Sequence, residues 1–169
     1  MTNDSHETIS ILNGLIETCE DGVKGFRTAA AAVKNPAAKT LFTSRVPAIE
    51  HAASELQAEV QRLGGTPETS GSMAAKVHRG WIDLKAAVTG QNEAAIITEC
   101  ERGEQVAIHN YEEARKQQLP SGIRTMVERQ YQGAVQNLER VRALGAAAGA
   151  EKPVIAPTPK ADHNAADRG

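Results

Sequence analysis

Residues 9–33 read ISILNGLIETCEDGVKGFRTAAAAV. Within them Ile9, Leu12, Ile16, Cys19, Val23, Phe26, Ala30 and Val33 recur in alternating steps of three and four, without a slip. That rhythm is an a/d stripe, the seam by which one long helix packs against another at a shallow left-handed crossing angle. It predicts a first helix from about Ser5 to Lys34 and, with it, an all-α bundle. Asn35-Pro36 ends the helix, because a residue preceding proline is pushed out of the helical region. Pro36 then suits the first turn of the next helix, where its missing N–H costs nothing.

The same rhythm repeats downstream. Phe42, Val46, Ile49, Ala53, Leu56, Val60 and Leu63 mark a second helix from Pro36 to about Leu63, with a kink expected at Pro47. Gly64-Gly65-Thr66-Pro67 stops it. A third helix is predicted from about Asn92 to Gln118 and a fourth from about Ser121 to Leu144, joined tightly at Leu119-Pro120. Val127, Tyr131, Ala134, Leu138 and Val141 share a face of the fourth. Residues 146–169 carry Pro, Lys and Asp with little to bury and read as a disordered tail behind a bundle domain of residues 1–145.

The connection from Gly64 to Gly90 exceeds a hairpin turn between neighbouring antiparallel helices. It holds a short amphipathic segment, Met73, Val77, Trp81, Leu84 and Val88, with Ser72 placed to cap it. A connection of that length favours a crossover along the bundle, making the second and third helices parallel in the ferritin-like arrangement. A plain up-down bundle with a decorated loop is the alternative. The crossover segment could cover the bundle's flank, or it could present Trp81 and Met73 to a partner or to a second copy in a homodimer.

Composition narrows the function. The chain has 169 residues, 3% of them aromatic, and a formal charge of −2. That suits one close-packed helical domain and lacks the basic footprint of a nucleic-acid partner. No apolar run approaches the roughly 20 residues that span a bilayer, and Met1 to Thr8 lacks a signal-peptide core. The expectation is a cytoplasmic protein with neither nucleic acid nor membrane as partner. Cys19 and Cys100 both fall on apolar faces, where buried free thiols are the simplest reading. A bridge between them is left open by sequence alone.

The third helix concentrates the unexplained chemistry in Glu99-Cys100-Glu101-Arg102-Gly103-Glu104. Its stripe runs Ile97, Cys100, Ala107, Tyr111, Ala114, and the slot between Cys100 and Ala107 is Glu104. An acid there is costly without a partner. Gln130 or Tyr131 could supply a hydrogen bond to a protonated Glu104, or a metal could pair with it. Glu17, Glu20, Glu50 and Glu128 lie near mid-helix but one step off their stripes, as solvated flanking charges do. No Glu-x-x-His pair occurs on the four helices, and His51 has no partner at ligand spacing. Gly103, unfavourable inside a helix, would permit close helix approach or make room for a side chain or ligand.

Leu15-Ile16-Glu17, Glu55-Leu56-Gln57, the Glu99–Glu104 stretch and Arg140-Val141-Arg142 resemble a bacterial four-helix-bundle family. That family is carried as a domain of unknown function and grouped with ferritin-like, rubrerythrin-type proteins. The resemblance spans about Ile9 to Leu144 and implies a ferritin-like fold and, by wider analogy, a carboxylate metal centre. It also shows a departure. Relatives carry His-Asp just before the Arg-Val-Arg equivalent, where this chain has Leu138 and Glu139. Two functions are therefore expected. One is a non-catalytic bundle serving as a stress-related or interaction module. The other is a metal-binding bundle holding a divalent ion by Glu17, Glu101 and Glu104, with Cys100 drawing the preference toward zinc and carboxylates alone toward iron or manganese. Ferroxidase or peroxide chemistry would need redox-active iron with open positions and ranks behind both.

Overall fold

A computed structural model describes residues 2–69 and 81–150, with side chains through residue 147. Four long helices and one short one account for its regular structure: α1 (Asn3–Ala32), α2 (Pro36–Arg62), α3 (Leu84–Thr89), α4 (Glu93–Arg115) and α5 (Ser121–Ala150). The predicted four-helix frame is present. The fourth long helix runs six residues past its expected end at Leu144, and residues 151–169 of the expected tail lie outside the described residues. Helix α2 continues on both sides of Pro47.

Local chemistry sets the ends. Thr2, Asn35 and Asn92 each accept a hydrogen bond from the backbone N–H three residues on, capping α1, α2 and α4,. Glu93 reaches from the first turn of α4 to the α1–α2 turn, where its carboxylate accepts from the N–H groups of Lys34 and Asn35 at 2.8–3.1 Å. Arg124 of α5 donates to the carbonyls of Arg115 and Gln117 at the end of α4. Each bond supplies a partner that a helix terminus or turn otherwise lacks.

Contacts fix the topology. Arg27 meets Glu50 while Lys39 reaches Ala30, so α1 and α2 are antiparallel. Asn110 meets Thr18 while Glu93 meets Lys34, so α4 is antiparallel to α1. Hence α2 and α4 run parallel, diagonally across the core. Asn137 opposite Glu104 and Gln130 opposite Tyr111 make α5 antiparallel to α4. Gly65 packs on Ile9 near one end of α1 and Glu93 meets Lys34 at the other, so the connection joins opposite ends of α1. This is the ferritin-like arrangement. The apolar stripes become one core that includes Leu12, Ile16, Phe26, Phe42, Leu56, Val60, Ile96, Ile123, Val127 and Val141.

Among the described residues the expected crossover segment is helical over Leu84–Thr89. Met73, Val77 and Ser72 lie outside the described residues, and α3 starts only at Leu84. Trp81 sits before it in a bend, half-buried against the bundle flank rather than presented to solvent. Its ring meets Phe26 edge-on at 5.1 Å between centroids. Cβ atoms at Gly25 or Gly103 would fall inside that indole. Two helical glycines therefore form the slot that holds the crossover to α1 and α4. Glu99 completes the attachment: it is 3% exposed, accepts from the N–H of Asp83 at 3.3 Å, and shares Arg102 with the Asp83 carboxylate.

Candidate functional site

Glu104 is 1% exposed and occupies the core slot that the stripe of α4 predicted. Its partners are Arg45 and Asn137. From α2, Arg45 donates through Nη2 to Oε1 at 2.8 Å and through Nε to Oε2 at 3.1 Å. From α5, Asn137 Nδ2 donates to Oε2 at 2.7 Å. Three donors converge on one carboxylate, two of them in the fork geometry of a guanidinium, so Glu104 acts here as an acceptor,. The expected bond to Gln130 or Tyr131 is not formed, because the antiparallel register places Asn137 opposite Glu104 and Gln130 two turns away. Leu138 is buried beside Asn137, so position 137 rather than 138 reaches the acid.

Gln130 belongs to a second network one level along the bundle. The Tyr111 hydroxyl donates to Gln130 Oε1 at 2.7 Å, and Gln130 Nε2 donates to Ala52 O at 3.2 Å and Glu55 Oε1 at 3.3 Å. Glu55 in turn accepts two bonds from Arg129 at 2.9 and 2.6 Å. These bonds hold the Glu55 carboxyl below its ordinary range, with Arg129 the main cause. Cys19 Sγ lies 3.6 Å from the Tyr111 oxygen. Since the phenol proton is committed to Gln130, the thiol is the donor. Burial raises Tyr111 well above the usual phenol value and pushes Cys19 up to about 11. Burial, followed by the nearby Glu104 and Glu99, also raises Cys100. Both cysteines are free.

The three sequence-predicted metal candidates are not brought together. Glu101 pairs with Arg142 at 3.1 Å on the half-exposed outer face, Glu104 lies in the core, and Glu17 is half-buried on α1. Among the described residues no three His, Cys, Asp or Glu side chains converge to hold a metal ion. Glu50 and Glu128 pair with Arg27 and Arg115 near the surface. His51 is 75% exposed, 3.7 Å from Glu55. Arg45 and Asn137 are the residues that sequence reasoning missed. Arg45 is three after Phe42 and four before Ile49; Asn137 is three after Ala134 and four before Val141. Both spacings put them on core faces.

The two networks border a cavity of about 180 Å³ whose lining includes Arg45, Glu104, Tyr111, Gln130, Phe26 and Trp81. No described helix is long and apolar enough to cross a membrane.

No curated protein matches the chain. Among solved structures it is similar to a two-domain protein from Anabaena variabilis containing DJ-1/ThiJ/PfpI-like and ferritin-like domains, at 15% identity and a TM-score of 0.72. The match covers 95% of this chain and 41% of the Anabaena protein, so this chain spans less than half of that neighbour's length. At that identity the likeness concerns the fold, and it agrees with the parallel α2 and α4. Residues 7–117 match the family described as domain of unknown function DUF2383, and with about two thirds of its length inside that match the chain belongs to the DUF2383 family.

Proposed function

We propose that this protein is a metal-independent, non-catalytic ferritin-like bundle that acts by binding rather than by turnover. The observation that carries the reading is the Arg45 fork on Glu104. Ferritin-like metal centres place inward carboxylates and histidines around cations, whose charge makes the buried acids tolerable. Here a guanidinium supplies that charge, and the Glu104 lone pairs a cation would need face Arg45 and Asn137 instead. The donor set around Glu104, an arginine and an amide nitrogen, does not fit a metal ion.

The remaining reactive groups support the same reading. Cys19 and Cys100 are buried thiols with raised pKa, the opposite of an activated nucleophile,. Glu55 and Glu128 are tied to arginines. The test is elemental analysis of untagged, dialysed protein. Iron, manganese and zinc far below one equivalent are expected. Close to one equivalent of any of them, lost in Glu104→Gln, overturns the proposal in favour of a carboxylate metal-binding bundle.

A further inference from the structure

The cavity of about 180 Å³ owes its volume to small residues, among them Gly22, Ala48, Ala52, Ala107 and Gly133. A closed apolar void of about 150 Å³ accepts a benzene molecule, so this space is large enough for a single aromatic ring with a substituent. Phe26, Ile49 and Trp81 supply its apolar wall. The exposed His51 and Arg129 also line it, giving it a side toward solvent.

Its polar wall is selective. Arg45 spends Nε and Nη2 on Glu104, and Nη1 is not part of that fork. The pair is neutral as a unit, so a ligand charge placed against the Phe26, Ile49 and Trp81 side would be left uncompensated there. Gly133 adds an independent observation. It lies inside α5, where glycine is unfavourable relative to alanine. A Cβ at that position would meet nothing within 4 Å among the described residues. Gly25 and Gly103 make room for Trp81; Gly133 makes room for no described side chain, and it lines the cavity.

The geometry points to a binding site for a compact neutral aromatic molecule carrying one hydrogen-bond acceptor. The ring lies against Phe26, Ile49 and Trp81, and the acceptor meets Arg45, whose Nη1 the Glu104 fork does not use. This assignment rests on the charge-balanced core proposed above.

Trp81 is the sole tryptophan and forms part of the wall, so its emission reports occupancy. Benzamide titrated into the full chain should produce a saturable change with a dissociation constant on the order of 1 mM or tighter. Benzoate, the charged isostere, should bind about tenfold more weakly. Gly133→Leu, which places a side chain in the space, should weaken benzamide by about tenfold or more. Ala107→Leu is a second filling variant should the first not fold, and should act alike. No saturable change, equal binding of benzoate, or unaltered binding in a folded filling variant each overturns the assignment. Metal analysis of the same sample separates the two readings. Metal-free protein that ignores benzamide defeats this site alone, and protein holding a metal at Glu104 defeats both.

Discussion

Trp81 fills the space that Cβ atoms on Gly25 and Gly103 would otherwise occupy, and through those two glycines the crossover is held against α1 and α4. Gly103→Ala sets two effects against each other. Alanine gains up to about 1 kcal/mol of helix propensity, while the new methyl displaces a packed indole at a cost of about 1–3 kcal/mol. The ring is aromatic, wedged and in contact with Phe26, so the clash should win. Net destabilisation by about 1–2 kcal/mol is expected in urea unfolding. In a Trp81→Ala background the same substitution should become neutral or stabilising. If Gly103→Ala stabilises the unaltered protein, the slot is not what glycine provides there.

The Arg45–Glu104 pair predicts an asymmetric pair of single mutants. Glu104 is 1% exposed, whereas Arg45 is 14% exposed and can be rehydrated. Arg45→Met strands a buried carboxylate and should cost roughly 3–5 kcal/mol. Glu104→Met strands a charge that has access to water and should cost less, about 2–3 kcal/mol. The double mutant, with two apolar side chains facing each other, should recover most of both losses. A double-mutant cycle by chemical denaturation measures the coupling. Additive losses would mean that the two side chains do not act as a pair.

These partners mark the limit of what the sequence disclosed. The stripe of α4 identified Glu104 as buried because one heptad slot held an acid among apolar neighbours, and that inference survived packing. Its partners were harder to read. In α2 the strict three-four rhythm selects Val46 and passes over Arg45; in α5 it selects Leu138 and passes over Asn137. Yet a core-facing stripe is wider than the a/d seam, and both polar residues sit inside it. Which of two adjacent residues points at a given acid depends on the register between helices, and a helix's own periodicity does not contain that register. The same holds for Glu17, Glu101 and Glu104. Glu101 is only three residues from Glu104 on one helix, but Arg142 holds it at the outer face while Glu104 turns inward. Crossover topology was legible because it depended on length alone.

Gly133 gives the converse of Gly103. A Cβ there meets nothing within 4 Å among the described residues, so Gly133→Ala should carry no steric cost. Removing an interior glycine should stabilise the protein by about 0.5–1 kcal/mol, raising its melting temperature by roughly 2–4 °C. Thermal unfolding followed by circular dichroism checks the sign. A fall in stability would show that α5 packs more closely against its neighbours at this level than the open space implies.

Alkaline pH should weaken the fold through the groups buried in their neutral forms. Cys19 is pushed up to about 11 from an ordinary value of 9.0, chiefly by burial, and Tyr111 and Cys100 are raised for the same leading reason. Folded-state values above unfolded ones mean that the unfolded chain ionises first. Their stabilisation is therefore complete below about pH 9 and is lost progressively as pH rises toward and beyond 11,. For the Cys19 shift alone the loss is on the order of 2–3 kcal/mol. Unfolding free energy measured between neutral pH and pH 10.5 should fall, and the slope should be shallower in Cys19→Ala once its own lower baseline is subtracted. Neutral native protein should also withhold both thiols from an aromatic disulfide reagent and release two on unfolding,. Rapid reaction of Cys19 in the native state, or a flat stability profile across that range, would show that Cys19 and Tyr111 are not held as a buried neutral pair.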